Sequence, residues 1–151
     1  MRTLQSLWLR GAAIDDEALS AVGSLSRLTH LDLSATAIRG TKLSELQRLK
    51  SLKYLAMFDV PVGDEAARDI GAIPSIETLF LADTKIGDRG ARELKGPYTY
   101  LNLSGTLVTD QSLLHFASIR TLGLLDLKGC NITHDAAAKF RTVRPDVTLI
   151  Y

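Results

Sequence analysis

Hydrophobic and polar positions along the chain follow a pattern that returns about every 24 residues: LxxLxL, then a small residue, then Ile or Val, then usually Asp. It opens at Leu4, Leu28, Leu52, Ile76, Tyr98, Leu122 and, truncated, Val147, giving spacings of 24, 24, 24, 22, 24 and 25 residues. A period in this range marks a solenoid, whose units are each too small to bury their own apolar face.

One unit, LTHLDLSATAIRGTKLSELQRLKS, shows the elements. Leu28, Leu31 and Leu33 are placed inward, and the alternation from His30 to Ser34 has the period of two of a strand with one buried face. Thr36 falls at the ninth position, shared by Ala12, Val60, Thr84, Thr106 and Cys130, where a small side chain lets the chain turn off the sheet. Ile14, Ile38, Val62, Ile86, Val108 and Ile132 form the next inward column. Asp16, Asp64, Asp88 and Asp110 then share one position, with Gly40 and His134 as exceptions; an acceptor there is expected to cap the following helix. Apolar residues three apart, as in Leu43, Leu46 and Leu49, give one face of about two helical turns.

Each repeat therefore reads as strand, turn, short helix. Stacking predicts an α/β solenoid of about six and a half repeats, with a parallel sheet on the concave face and short helices on the convex face, as a single domain over 1–151. The fourth repeat is two residues short and carries Gly96 and Pro97 before Tyr98, which predicts a tightened or irregular convex turn. Met1 stands three residues before the first repeat, so either a longer parent was trimmed here or the first edge is covered by a partner.

Composition narrows the classes. Eighteen Lys and Arg against 17 Asp and Glu give a net charge of +1, which supplies no global field for nucleic acid or anionic lipid. Charged residues interrupt every hydrophobic stretch, so no membrane helix is expected, and Arg10 cuts short any signal-peptide core. One cysteine, Cys130, cannot form an internal disulfide and fits a cytoplasmic, reducing compartment.

The stretches LTHLDLSATAI, IETLFLADTKIGDRGARELKG, YLNLSGTLVTDQSLLHF and LGLLDLKGCNITHDAAAKF resemble leucine-rich repeats of the cysteine-containing, ribonuclease-inhibitor-like kind, and most closely the bacterial versions with Thr in place of the usual Asn. The resemblance spans essentially the whole chain. It implies a protein that binds other proteins. The closing KFRTVRPDVTLIY resembles the way such arrays end, which implies that Tyr151 is a natural C-terminus. The Asn ladder is absent and no F-box segment is attached, so an adaptor role in ubiquitin ligation has no support.

Only the outward strand positions are free to encode a partner. They include Trp8 and Arg10; His30, Asp32 and Ser34; Tyr54, Ala56 and Phe58; Phe80 and Ala82; Tyr100; and Asp126 and Lys128. Neighbouring strands lie about 4.8 Å apart and alternate residues about 6.7 Å apart, so Tyr54, Phe58, Phe80 and Tyr100 are expected to form one cluster. Trp8 and His30 lie at its flank, and Asp59 and Asp83 occupy equivalent sites on adjacent repeats. Exposed aromatics in a concavity suit an interface; the competing reading is that they stack on one another and bind nothing.

Catalytic and metal chemistry find little purchase. His30, Asp32 and Ser34 share a strand face, but the carboxylate is central and His30 lies about 13 Å from Ser34, the wrong order for a triad. Two aspartates are too few ligands for a hard cation. Cys130 reads as a packing thiol, His115 and His134 as surface or capping groups, and Gly87, Gly90, Gly105 and Gly129 as turn residues, with no phosphate loop. The reading is a noncatalytic module without cofactor or metal, binding a protein or peptide through Trp8, His30, Tyr54, Phe58, Phe80, Tyr100, Asp59 and Asp83. The alternative is a self-associating or capping fragment of a larger repeat protein, pairing through its open first repeat.

Overall fold

A computed structural model describes residues 3–151; Met1, on which the reading of the chain start rests, lies outside them. Seven three-residue strands form one parallel sheet in sequence order: β1 Ser6–Trp8, β2 His30–Asp32, β3 Tyr54–Ala56, β4 Thr78–Phe80, β5 Tyr100–Asn102, β6 Leu124–Asp126 and β7 Thr148–Ile150. Between them lie α1 Ala18–Gly23, a 3₁₀ helix Leu43–Arg48, α2 Asp64–Gly71, α3 Asp88–Ala91, a 3₁₀ turn Asp110–Ser112 running into α4 Leu113–Ser118, and α5 His134–Val143. The architecture is the expected solenoid, with the seventh, truncated recurrence supplying β7.

The register keeps one leucine above the next: Leu7, Leu31, Leu55, Leu79, Leu101, Leu125 and Leu149 are successive partners. Leu31 through Leu125 are fully buried, and they belong to one core cluster with Leu33, Ile38, Val62, Ile86 and Val108. Truncating one such leucine costs about 2–5 kcal/mol, so variation for function is confined to the positions between them.

The ends differ from the middle. Leu4 is 39% exposed, and Leu7, Leu9 and Ile14 are only partly buried, because among the described residues nothing packs on that side. At the other end Val147 and Leu149 are buried and Phe140 of α5 closes the stack. There the Arg144 guanidinium donates to the carbonyls of Ala117, Ile119 and Leu122 at 3.0, 2.9 and 3.0 Å.

Three expectations need correction. The recurrent aspartates do not cap their own helices: Asp64, Asp88 and Asp110 are already the first helical residues, and Gly63, Gly87, Thr109 and Thr133 take the cap positions. Their carboxylates instead accept backbone N–H bonds from the next repeat, Asp16 from Gly40, Asp64 from Gly87, Asp88 from Thr109 and Asp110 from Thr133, at 2.8–2.9 Å. The second repeat, which has Gly40 in the aspartate column, forms a 3₁₀ helix in place of an α-helix. Gly87 and Gly90 are not turn glycines: Gly87 is extended before α3, and Gly90 sits inside α3, where an added Cβ would come within 2.5 Å of the Asp64 carboxylate.

The short fourth repeat is tightened as expected. α3 has four residues, and Tyr98, fully buried, fills the position other repeats give to Leu or Ile. Among the described residues no helix is long and apolar enough to cross a membrane.

Candidate functional site

The outward face of the sheet is built by period-two alternation acting on repeats held in register. Ser6, His30, Tyr54, Thr78, Tyr100 and Leu124 form one cross-sheet row, and Trp8, Asp32, Ala56, Phe80, Asn102 and Asp126 the next. His30 and Tyr54 thus sit side by side, and from Tyr54 onward the large rings are separated within each row by smaller side chains and meet on the diagonals. Ring centroids are 5.4 Å apart for Tyr54 and Phe80, 5.5 Å for Phe58 and Phe80, and 4.8 Å for Phe80 and Tyr100. Trp8 and His30 join the same network, Trp8 5.7 Å from Tyr54 and 6.4 Å from His30, and His30 stacked 5.8 Å from Tyr54. Separations of 4.5–7 Å are those of attractive aromatic pairs, worth about 0.5–1.5 kcal/mol each beyond area burial.

The expected cluster therefore exists, and all six rings are continuous. Its members differ in display: Trp8 is 58% exposed, whereas Tyr54, Phe58, Phe80 and Tyr100 are half-buried by one another. Burial, followed by the nearby Asp32 carboxylate, pushes the Tyr54 hydroxyl above its usual pKa, so at neutral pH it stays a neutral donor.

Four positions expected to be free are covered. Ala56 and Ser34 have no exposed surface, and Ala82 and Asp32 almost none, because small or short side chains between large rings fall below the contact surface. Ser34 and Asp32 are also spent internally: the Asp32 carboxylate accepts the Ser34 N–H at 2.8 Å, and the Ser34 hydroxyl accepts the Phe58 N–H at 3.1 Å. The His30 ring nitrogen Nδ1 lies 2.9 Å from the Thr29 hydroxyl. Asp32 and Ser34 serve the backbone and His30 a neighbouring side chain, with no imidazole between hydroxyl and carboxylate.

Beyond the rings the chain leaves the sheet through a column in the left-handed region: Gly11, Ala35, Asp59, Asp83, Gly105 and Gly129, at φ of 69, 53, 50, 57, 66 and 76°. Sequence reasoning saw Gly105 and Gly129 as turn residues but missed the column; the signal was their alignment eight residues into each repeat. Gly and Asp adopt this conformation readily, whereas Ala35 holds it at a steric cost. Asp59 and Asp83 are exposed, and among the described residues their carboxylates accept no hydrogen bond and join no ion pair. Their backbone N–H groups bond to the Ala82 and Ser104 carbonyls at 3.0 and 2.8 Å, which fixes both residues to the neighbouring strand.

Other charged groups on this face have partners of different kinds. Lys53 pairs with Glu77, and Asp126 accepts the Lys128 N–H at 3.0 Å. The Arg10 guanidinium stands 5.6 Å from the Phe58 ring centroid, a cation–π contact. No group of three or more His, Cys, Asp or Glu side chains among the described residues could hold a metal ion.

The remaining candidates sit elsewhere. Cys130 is partly buried, its thiol 3.1 Å from the Leu103 carbonyl and 3.4 Å from the Thr106 hydroxyl. His115 reaches the Leu94 carbonyl at 2.9 Å, and His134 the Tyr151 hydroxyl at 3.0 Å. All three tie neighbouring repeats together.

Residues 72–95 match the leucine rich repeat family. No curated protein matches the sequence. Among solved structures, an internalin from Listeria monocytogenes is similar with a TM-score of 0.67 at 18% identity, over 97% of this chain and 47% of its own. A leucine-rich-repeat protein of Leptospira interrogans is similar with a TM-score of 0.61 at 17% identity, over 99% of this chain and 49% of its own. The chain thus spans about half the length of each. The fold is a leucine-rich-repeat solenoid, an architecture that serves in general as a protein-interaction scaffold with a concave binding surface.

Proposed function

We propose that the chain is a noncatalytic protein-recognition module, a single domain that takes a protein or peptide partner on its concave face through Trp8, His30, Tyr54, Phe58, Phe80 and Tyr100, with Asp59 and Asp83 at the rim. The observation that carries this reading is the unbroken run of six rings on the outward face of the sheet. Rings already packed against one another lose little rotamer freedom on binding, which lowers the entropic cost of an interface. Burying such an aromatic contributes about 2 kcal/mol or more at a hot spot. Changing Phe80 and Tyr100 together to Ala is expected to abolish capture of a partner from lysate while the circular dichroism spectrum stays that of the parent. Unchanged capture would move the site off this face.

The ninth-position column supports the cysteine-containing, Thr-for-Asn type of repeat. The Thr36, Thr84 and Thr106 hydroxyls donate to the carbonyls of Leu33, Leu81 and Leu103, closing the turn off the strand, and Cys130 stands in the same column. A free thiol engaged in this way supports a reducing, cytoplasmic setting.

A second reading is favoured by the first repeat. β1 is an edge strand with an outward Trp8 and half-covered Leu7 and Leu9, an arrangement that favours pairing with another strand. Self-association through this edge predicts a mass that rises with concentration in light scattering; a monomer throughout the series rejects it.

A further inference from the structure

The aromatic wall carries more carboxylates than cations, with two of the carboxylates exposed beside a ring that already holds a guanidinium, and this gives the partner a chemistry. We infer that the partner segment presents an arginine whose guanidinium lies on the Phe58 and Phe80 rings and pairs with the Asp59 and Asp83 carboxylates. The inference rests on the concave-face reading above and adds the identity of the anchoring group.

Three observations converge on it. The chain itself places a guanidinium on this platform: Arg10 reaches across from the β1 side to stand 5.6 Å from the Phe58 centroid. On the other side of Phe58, toward β4, the Phe80 ring follows at 5.5 Å with Tyr100 edge-on beyond it at 4.8 Å, so a second planar cation meets aromatic surface there. Asp59 directly follows Phe58, and Asp83 occupies the same repeat position one strand along, about 4.8 Å away at the backbone. Both carboxylates are exposed and, among the described residues, without a partner. Because Lys53 and Glu77 neutralise each other, the charges left at the ring cluster are the Arg10 guanidinium against the Asp32, Asp59 and Asp83 carboxylates, of which Asp32 is buried and bonded to the Ser34 N–H while Asp59 and Asp83 are exposed.

Arginine fits better than lysine on physical grounds. A guanidinium is planar, weakly hydrated and forked, so it stacks on a ring while its edge donates to carboxylates on one side; an ammonium is a strongly hydrated point charge that does only one of these well. An apolar neighbour in the same segment would cover Tyr54 and Trp8.

The test selects peptides from a random dodecapeptide phage library on the immobilised intact chain, then measures synthetic versions of the enriched sequence by isothermal titration calorimetry. Enrichment of arginine beside an aromatic or aliphatic residue is expected, with the Arg→Ala peptide about tenfold weaker, the Arg→Lys peptide in between, and the preference shrinking as salt rises. Asp59→Asn combined with Asp83→Asn, which keeps residues that tolerate the left-handed backbone, should make the Arg and Ala peptides bind alike. Enriched peptides without arginine, or a preference that survives the double Asn variant, overturn this inference and leave the concave-face reading standing. No enrichment, or binding untouched by Phe80→Ala with Tyr100→Ala, overturns both.

Discussion

The Asp88 carboxylate on α3 is gripped by Thr109 of the following repeat, which donates its backbone N–H to one oxygen at 2.9 Å and its hydroxyl to the other at 2.7 Å. Ser112 adds a third hydrogen bond from the same segment. Away from the main sheet consecutive repeats are joined by single backbone bridges, as between Gly87 and Leu107, and this aspartate adds a side-chain joint beside them, repeated with Asp16, Asp64 and Asp110.

Burial alone would raise the pKa of Asp88, but hydrogen bonds from Ser112 and Thr109 outweigh it and hold the carboxyl below its ordinary 3.8. A lowered folded-state pKa means the stabilisation is complete above the unfolded value near 3.8 and is lost as pH falls through the folded one. Asp88→Ala is therefore expected to lower unfolding free energy by about 2 kcal/mol at neutral pH, since charge-assisted bonds are lost and donors are left unpaired. Asp88→Asn keeps an acceptor and loses less. Urea titrations at pH 7 and pH 3 check it: the gap between parent and Ala variant must narrow at the lower pH, and a gap that stays constant contradicts an ionised joint.

Tyr98 carries a different liability. Its hydroxyl is buried without a hydrogen-bond partner, and an added Cβ on Gly96 would come within 2.7 Å of ring atoms Cε1 and Cζ. Burial pushes the phenol up to about 12 from 10.0, and the neighbouring Gly96 backbone opposes this only weakly. Tyr98→Phe, which removes an unsatisfied polar atom without changing the ring, is expected to stabilise the fold by about 1 kcal/mol. Because the folded state holds the phenolic proton more tightly, stability is intact below pH 10 and falls as pH climbs toward 12, by about 1.4 kcal/mol per pH unit from this group. The Phe variant lacks that contribution, so its advantage should widen from pH 9.5 to pH 11. Gly96→Ala should cost about 2 kcal/mol in either background, since the ring that blocks the methyl is still there. An unchanged Phe variant at both pH values would mean the hydroxyl finds water.

What the sequence revealed and concealed follows from how each feature is encoded. The leucine ladder from Leu31 to Leu125 and the meeting of Tyr54, Phe80 and Tyr100 follow from a near-constant period, because equal spacing sets the register and the register sets the diagonals. The partners of Asp64, Asp88 and Asp110 did not follow: an aspartate at a helix start looks the same whether it caps its own helix or reaches the next repeat, and only the stacking offset decides. Thr109 and Thr133, the caps actually used, were hidden beside the more conspicuous acids. Ala35 gives no hint of its positive φ except through alignment with Gly11, Gly105 and Gly129. The covering of Ser34 and Ala56 depends on ring tilt, which alternation does not carry.

The two ends of the stack should unfold differently. Among the described residues nothing covers the outer side of Leu7, Leu9 and Ile14, whereas the last repeat is pinned by Arg144 through three carbonyls of the preceding turn, its guanidinium steadied by the Asp146 carboxylate at 2.8 Å. In a solenoid each repeat is held by its neighbours alone, so an end with one half-buried interface opens first. Native-state hydrogen exchange should show the amides of Leu9 and Gly11, bonded to Asp32 and Ser34, exchanging faster than those of Leu81 and Asp83, bonded to Asn102 and Ser104. The amide of Leu127, bonded to Ile150, should stay slow in the parent chain. Arg144→Ala removes the three bonds this side chain donates to those carbonyls, although the Ile119 carbonyl keeps the Leu122 N–H, costs about 3 kcal/mol locally, and brings Leu127 toward the rate of Leu9. Arg144→Lys recovers little, because a single ammonium cannot span carbonyls that a planar fork reaches together. Uniform exchange along the parent chain would show that all repeats open as one block, and the guanidinium would then be an ornament on a fold already closed.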